Sequence, residues 1–222
     1  MRDRLLIPYQ EKVLVKADRQ ISIANKALDR INSKRSDVWY NKGVALGELD
    51  RWEEALQAYN EAIELNPDEF DSWHNKGIVL RKLGRYEEAL LAYDEAVELN
   101  PNDSDTWYNK GFALDELGRY EEALQANDKA IELNPDESDA WNMKGLILRK
   151  LDRYEEALQA YDEAIELNPD DSDNWYGRGT CLNNLGRYPD YRESDKIETE
   201  RKTDKRKIKI QQSTPARGKY WL

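Results

Sequence analysis

The fold is decided by residues 39–72, which read WYNKGVALGELDRWEEALQAYNEAIELNPDEFDS before the pattern starts again at Trp73. Four kinds of residue return at this step. They are Trp39, Trp73, Trp107, Trp141 and Trp175; Gly43, Gly77, Gly111, Gly145 and Gly179; Ala55, Ala89, Ala123 and Ala157; and Pro67, Pro101, Pro135 and Pro169. Four columns in one phase indicate tandem repeats of one supersecondary unit.

Each period predicts two helices. The first spans roughly 37–49, where Trp39, Gly43, Leu46 and Leu49 have helical spacing and predict one packed face. The second begins near Trp52 and carries apolar residues at helical spacing, namely Ala55, Leu56, Tyr59, Ala62 and Ile63. The chain between the helices needs residues that tolerate left-handed backbone, and those available are Asp50, Gly84, Gly118 and Gly186. Proline then ends the second helix.

The following turn predicts how the next first helix begins. Serine and aspartate are good cap and first-turn residues. They recur as Ser104 with Asp105, Ser138 with Asp139, and Ser172 with Asp173.

The periodic residues resemble the tetratricopeptide repeat. Those that match its pattern in period, order and type are Trp39, Gly43, Ala55, Tyr59, Ala62 and Pro67. The resemblance covers residues 36–188, as four full repeats and the first helix of a fifth. It implies an all-α α-solenoid, a right-handed superhelix of antiparallel helix hairpins. It also implies that the first helices line a concave groove in which peptides or protein segments bind.

Three departures from the family pattern carry further predictions. Cations stand where the family prefers Leu, namely Lys42, Lys76, Lys110, Lys144 and Arg178. We expect each to pair with a Glu of the neighbouring second helix. Asn127 replaces the tyrosine of the other repeats, which predicts a weaker third repeat. Pro189 falls where the fifth second helix would begin.

The two ends differ from the array in charge. Residues 1–35 hold nine Lys and Arg against four Asp and Glu, and residues 189–222 hold ten against six. The net charge of the whole chain is −11 and both ends are positive, so residues 36–188 alone carry −20. Helical spacing of Ile21, Ala24, Leu28 and Ile31 predicts an N-terminal helical segment that is a degenerate cap. The basic tail is open to four interpretations: a solvated segment, a poor capping helix, a site for RNA or lipid, or a segment that folds back onto the acidic array.

Composition argues against several classes of function. The acidic charge disfavours nucleic-acid binding, and no apolar run has the length of a membrane helix. His74 and Cys181 are the only His and Cys, so we expect no catalytic residues, no metal site and no cofactor. The Glu pairs, such as Glu53-Glu54, recur with the period and suit the first turn of a helix. The sequence predicts a cytoplasmic protein that is not an enzyme.

The groove positions follow from the repeat. The residue after each Trp, and those four and seven further on, should point into the groove. They are Tyr40, Val44 and Gly47; His74, Ile78 and Arg81; Tyr108, Phe112 and Asp115; Asn142, Leu146 and Arg149; and Tyr176, Thr180 and Asn183. The alternative is that Val44, Ile78, Phe112 and Leu146 pack against the adjacent repeat.

An acidic column lies beside these positions. Its members are Asp37, Asp71, Asp105, Asp139 and Asp173. They either edge the groove and attract Lys or Arg of a ligand, or act in helix capping, and both roles are compatible. Some family members hold acidic chaperone C-termini in a clamp of Lys, Arg and Asn. Asn41, Asn75 and Asn109 resemble its Asn, but the groove cations are missing, so we expect no tight binding of such peptides.

We therefore predict a protein–protein interaction module or adaptor whose partner is a protein or peptide segment, basic with apolar anchors. Two alternatives stay open. One is a self-associating structural scaffold, joined through an exposed second helix or the incomplete C-terminal end. The other is a regulatory subunit of a larger complex.

Overall fold

The computed structural model describes residues 31, 32 and 34–187. Within these residues the chain forms helices joined by short turns. The helices are α1 (34–48), α2 (Trp52–Leu65), α3 (Phe70–Lys82), α4 (Tyr86–Leu99), α5 (Ser104–Glu116), α6 (Tyr120–Leu133), α7 (Ser138–Lys150), α8 (Tyr154–Leu167) and α9 (Ser172–Asn184). This order confirms an all-α solenoid of helix hairpins.

The ends of the array are only partly described. Residues 34–48 are helical, so α1 runs across the expected repeat boundary at 36. Ile31 is 55% exposed. The other residues of the proposed N-terminal cap, Ile21, Ala24 and Leu28, lie outside the described residues, as do Pro189 and the basic tail.

The turn inside each hairpin reverses the chain through one left-handed residue. Asp50 has φ 56° and Gly84 has φ 70°. The Arg51 N–H donates to the Leu46 carbonyl at 2.9 Å and closes the first turn. The prediction that Leu49 shares the packed face of the first helix is wrong, because α1 ends at 48 and Leu49 lies in the turn, 66% exposed.

Each described hairpin is held by a glycine of its first helix and the residue sixteen positions later on the second. A Cβ on Gly43 would lie 2.7 Å from Tyr59 Cε1, and one on Gly145 would lie 2.8 Å from Tyr161 Cε1. Both tyrosines are buried. The missing Cβ lets the ring lie directly against the first-helix backbone. The same contact joins Gly77 to Tyr93.

The third hairpin departs from this contact, because Asn127 stands in place of the tyrosine. Its Nδ2 donates to the Ala140 carbonyl at 2.7 Å, while its buried Oδ1 has no partner among the described residues. Met143 is buried on α7 and holds the same repeat position as Gly177 on α9. Gly177 lies against the Tyr161 ring. The interface in which Asn127 replaces the larger tyrosine thus has the longer Met143 side chain in place of a glycine.

The tryptophan column ties each inter-repeat turn to the helix that follows it. The indole Nε1 donates to the carbonyl of the proline six residues earlier, at 2.8 Å for Trp73 and 2.9 Å for Trp107. Trp141 and Trp175 do the same. The rings are only partly buried, so they cover the interface between hairpins rather than fill its centre.

Three of the five cations that replace the family's Leu pair with the preceding second helix, but with Asp rather than the expected Glu, whereas Lys42 and Lys76 lie over the Trp39 and Trp73 rings. The distances are 2.6 Å for Lys110–Asp94, 2.7 Å for Lys144–Asp128 and 2.6 Å for Arg178–Asp162. Lys110 Nζ also lies 5.2 Å from the Trp107 ring centroid. The Lys110 ammonium thus contacts the Asp94 carboxylate while lying over the face of the Trp107 ring.

A second periodic ion pair was missed from the sequence. The residue before each second helix is Arg, and its guanidinium contacts the Glu three residues later, as in Arg51–Glu54 at 2.5 Å. The others are Arg85–Glu88, Arg119–Glu122 and Arg153–Glu156. The recurrence of Arg at the repeat step was the available signal. These exposed pairs contribute little to stability, because water screens both charges.

The first helices begin differently from the serine-cap prediction. Ser104, Ser138 and Ser172 are the first helical residues, and the cap lies one residue earlier. Asp103 accepts from the Thr106 N–H at 2.8 Å, and Asp171 accepts from the Asp173 N–H at 2.9 Å. Carboxylates are at least as good cap acceptors as hydroxyls.

Contacts between repeats place the first helices on the inside of the superhelix. α3 contacts α5, α5 contacts α7, and α7 contacts α9, whereas α2, α4, α6 and α8 do not contact one another. Helices that approach each other lie on the inner side of a curved stack, and those that spread apart lie on the outer side. The odd-numbered helices therefore form the inner face.

Two inner-face junctions are joined by side-chain hydrogen bonds between consecutive first helices. His74 Nδ1 lies 2.6 Å from Thr106 Oγ1, which also donates to Asp103. Two repeats on, Asn142 Nδ2 donates to Asn174 Oδ1 at 2.5 Å. The bonds span 32 residues each and lock neighbouring repeats in register.

We predict that Gly77→Ala destabilises the protein, because the new Cβ would overlap the buried Tyr93 ring. Overpacking of this kind costs about 1–3 kcal/mol. Gly111→Ala is the matched control, since its Cβ would lie 3.3 Å from the Ala123 carbonyl oxygen and no tyrosine opposes it. Urea unfolding of both variants checks this. Equal midpoints for the two would contradict the glycine–tyrosine contact.

We also predict that stability falls as the pH drops from 7.5 to 6. Burial lowers the pKa of His74 below its ordinary 6.5, although Asp103, Asp105 and Asp71 oppose the shift. The unfolded chain then binds a proton that the folded chain refuses, so acid favours unfolding. His74 is the only histidine, and carboxylates titrate mostly at lower pH.

The matched variant for this effect is His74→Asn, since Asn142 holds the same position in a later repeat. The melting temperature of His74→Asn should change less between pH 7.5 and 6 than that of the unmodified protein. Identical pH dependence in the two would show that His74 titrates normally in the folded state.

Candidate functional site

The inner face carries a stripe of aromatic and aliphatic side chains. Tyr40, His74, Tyr108 and Asn142 are half-buried along α1, α3, α5 and α7, while Tyr176 on α9 is 74% exposed. The second row, one helical turn on, packs against the core and stays half-exposed. Its members are Val44, Ile78, Phe112 and Leu146. Core packing and partial exposure thus occur together at these positions.

The cations predicted for this face are engaged within the protein. The Arg81 guanidinium lies 4.8 Å from the Phe112 ring centroid, and its buried Nε makes no hydrogen bond within the described part of the chain. Arg149 also has a buried Nε without such a partner, but its side chain interacts with Tyr161, where burial raises the pKa of the phenol and Arg149 opposes that rise. Stacking on an aromatic ring holds the Arg81 charge against the protein surface.

Asp115 differs from its prediction as a groove residue. Its side chain is 2% exposed and accepts two bonds from Lys150 Nζ, at 2.8 and 2.7 Å. Its column holds Arg81 and Arg149 in the neighbouring repeats, so the sequence pattern suggested an exposed charge. A lysine 35 residues away neutralises it instead.

The acidic column remains exposed along the other edge of the inner face. Asp71, Asp105, Asp139 and Asp173 lie in the first turns of α3, α5, α7 and α9, where a carboxylate suits the helix dipole. Asp37 is exposed on α1. The carboxylates of Asp71, Asp105 and Asp139 make no ion pair with residues 34–187. Burial and the charge of Asp139 raise the pKa of Tyr108.

The asparagines that resemble a clamp make local hydrogen bonds. Asn41 Nδ2 donates to the Asp37 carbonyl at 2.7 Å. Asn75 and Asn109 bond the Asp71 and Asp105 carbonyls in the same way, both at 2.8 Å. One amide hydrogen of each is therefore occupied within its own helix.

A cavity of 260 Å³ opens in the inner face between α5 and α7. Its lining combines residues from three consecutive repeats. They are His74, Ile78, Ser104, Asp105, Tyr108, Asn109, Ala130, Glu137, Asp139 and Ala140. Six of these residues were predicted as groove positions, namely His74, Ile78, Asp105, Tyr108, Asn109 and Asp139. Ser104, Glu137, Ala130 and Ala140 were not, because a cavity can be predicted only by comparing the sizes of equivalent residues across repeats.

A second cleft, of 550 Å³, lies on the second-helix side between α4 and α6. Leu91 is 67% exposed beside it. Charges of both signs surround the cleft, with Glu87, Asp94 and Glu122 opposing Lys110, Arg119 and Lys129.

The described residues hold little that could carry reaction chemistry. Cys181 is buried, and burial raises the pKa of its thiol, which keeps the thiol protonated. Within residues 31–32 and 34–187, no cluster of three or more His, Cys, Asp or Glu could hold a metal ion. Over the same residues, every helix is too short or too polar to cross a membrane.

Comparison with solved structures finds the same architecture. YrrB, titled a TPR protein with an unusual peptide-binding site, is 25% identical, with 67% of this chain and 77% of that chain covered at a TM-score of 0.61. A MamA protein is 18% identical, with 82% and 98% covered at 0.67. MamA from Desulfovibrio magneticus RS-1 is 21% identical, with 81% and 97% covered at 0.66.

Comparison with curated protein sequences finds no match. The model of the tetratricopeptide repeat matches five overlapping segments, residues 19–70, 40–104, 74–140, 108–172 and 142–192. These matches follow the 34-residue step and cover most of the chain, and the helix hairpins described above have the order that the repeat requires. The chain belongs to the tetratricopeptide repeat family.

Proposed function

We propose that this protein is an interaction module that binds a basic protein segment with apolar anchors along its inner face. Tetratricopeptide repeat proteins generally act as protein–protein interaction modules. The observation that carries the proposal is the pairing of two features on one surface. A half-buried aromatic and aliphatic stripe runs beside a row of carboxylates that includes Asp71, Asp105 and Asp139, which have no ion partner among residues 34–187.

The stripe supplies the apolar part of the recognition. Tyr and Phe at an interface offer large contact area at low conformational cost, and buried aromatic anchors dominate binding energy. Tyr108 and Phe112 lie on one helix, with Ile78 and Leu146 on the helices either side. Successive side chains of an extended or helical segment can contact them.

The acidic edge supplies the electrostatic part. Residues 36–188 carry a net charge of −20, and the inner-face cations Arg81 and Lys150 are held by Phe112 and Asp115. Complementary charge steers encounter and selects partners of opposite sign. An acidic peptide, including a chaperone C-terminus, would meet exposed carboxylates and no unengaged Arg81 or Lys150. We therefore propose that such peptides bind weakly at best.

The peptide-binding site named for YrrB supports binding of peptides by an array of this architecture.

We expect a short acetylated peptide in which Lys alternates with Leu to bind, and its Glu–Leu counterpart to show no binding, by isothermal titration calorimetry. Asp105→Asn with Asp139→Asn should weaken the Lys–Leu peptide roughly 3–10-fold, the effect of losing two partly exposed charge contacts. The control, Glu61→Gln with Glu98→Gln, changes the charge equally on exposed positions of α2 and α4. Equal weakening by both pairs, or tighter binding of the Glu–Leu peptide, would refute the inner-face site.

A second candidate function is self-association through the outer cleft between α4 and α6. The exposed Leu91 favours it, because a large apolar side chain beside a cleft with charges of both signs can be covered by a second copy. Sedimentation velocity over a range of concentrations tests this. A dimer that Leu91→Glu abolishes supports it, and a monomer at every concentration excludes it.

A further inference from the structure

Two of the four described junctions between consecutive first helices lack a hydrogen bond at the position of His74 and Thr106: the α1–α3 junction, with Tyr40 and Ser72, and the α5–α7 junction, where the cavity lies. The two flanking junctions are closed by His74 with Thr106 and by Asn142 with Asn174. At the middle junction the corresponding residues are Tyr108 and Ala140. An alanine offers no polar atom beyond its backbone, so this bond cannot form.

A second small residue, Ser104, borders the same space. In the second repeat, Phe70 packs against the His74 ring at a centroid distance of 5.6 Å. The third repeat has Ser104 at the position of Phe70. Serine also holds this position at Ser36, Ser138 and Ser172, so Phe70 is the exception and Ala140 is the residue that distinguishes this junction. Ala140 and Ser104 both line the 260 Å³ cavity.

The volume of the cavity limits what it can hold. Small-molecule pockets have volumes of about 300–1,000 Å³. A space just below that range fits one long side chain and excludes a folded segment. It opens onto the inner face, where the proposed function places the bound chain.

The chemistry of the lining selects a cation with an apolar stem. Ile78 and Ala140 are apolar, while Asp105 and Asp139 contribute carboxylates that lack ion partners among residues 34–187. Tyr108 adds an aromatic ring, which attracts a cation through its face. His74 is the neighbouring titratable base, and burial lowers its pKa, which keeps it uncharged at neutral pH. A carboxylate ligand would be repelled, and a wholly apolar one would desolvate Asp105 and Asp139 without compensation.

We propose that this cavity binds the side chain of a single lysine or arginine of the partner segment. The methylene stem lies against Ile78 and Ala140, and the charged head lies between Asp105 and Asp139 beside the Tyr108 ring. This inference rests on the proposed function and adds the anchor residue to it. It places the strongest discrimination of the array at its third and fourth repeats.

Residues from the chain's own repeats provide the test variants. Ala140→Asn introduces the side chain that Asn174 has at the sealed junction, and Ser104→Phe introduces that of Phe70. Each fills the cavity while leaving Asp105 and Asp139 in place. Ser172→Phe is the control, because Ser172 is exposed and holds the same position in the fifth repeat, away from the cavity.

Isothermal titration calorimetry compares these variants with the Lys–Leu peptide and with a counterpart in which norleucine replaces every Lys. Ala140→Asn and Ser104→Phe should bind the Lys–Leu peptide at least about tenfold more weakly than the unmodified protein, and Ser172→Phe should match it. The norleucine peptide should bind the unmodified protein weakly and distinguish little between the variants. Thermal unfolding verifies that each variant folds. If Ala140→Asn does not fold, Ser104→Phe alone tests the cavity.

The outcomes separate the two proposals. Absence of Lys–Leu binding to the unmodified protein refutes the proposed function. Normal binding that the cavity-filling variants leave unchanged refutes the pocket alone, as does an equal loss with the norleucine peptide. His74 gives an independent readout, since it lines the cavity and is the only histidine. The NMR resonances of the His74 ring should shift when the Lys–Leu peptide is added to the unmodified protein. They should not shift when the same peptide is added to Ala140→Asn.

Discussion

The contact between a first-helix glycine and a second-helix tyrosine is the constraint on which the rest of the structure depends. Gly43 with Tyr59, Gly77 with Tyr93, and Gly145 with Tyr161 bring the two helices of a hairpin together at a distance that any Cβ would prevent. That distance fixes which face of the first helix meets the core and which remains on the inner face. The absence of a Cβ at these glycines thus sets the position of the inner face.

Much of the fold could be predicted from the sequence because packing repeats identically in each period. The second helices and the left-handed turn residues followed from columns of residues whose roles do not change between repeats. The errors fall where a single residue or a long side chain decides the result. Leu49 continues the apolar spacing, yet the helix ends before it. Lys110 could reach either Glu or Asp by spacing alone, and only the relative rotation of the two helices brings Asp94 to its charge.

The residues of the inner face could be predicted from the sequence, but not which of them are exposed and which are paired within the protein. Spacing alone placed Tyr108, Phe112 and Asp115 on one stripe, since one helix face follows from helical geometry. It could not show that Lys150, from the next repeat, covers Asp115, because that contact depends on how far consecutive repeats rotate. It also could not show the cavity, which is present because the side chains of Ser104 and Ala140 are small.

The open junction is compensated at its opposite end. The cavity separates the N-terminal parts of α5 and α7, where the neighbouring junctions are joined by His74 or Asn142. At the C-terminal parts of the same two helices, Asp115 and Lys150 form the ion pair that spans 35 residues. Asp115 is buried and Lys150 is about one third exposed, so removing Lys150 would leave a buried carboxylate without its partner, which is strongly destabilising. The pair therefore holds the repeats together where the cavity weakens their contact. A pocket can exist in a thin stack of hairpins because another contact of the same interface maintains its walls.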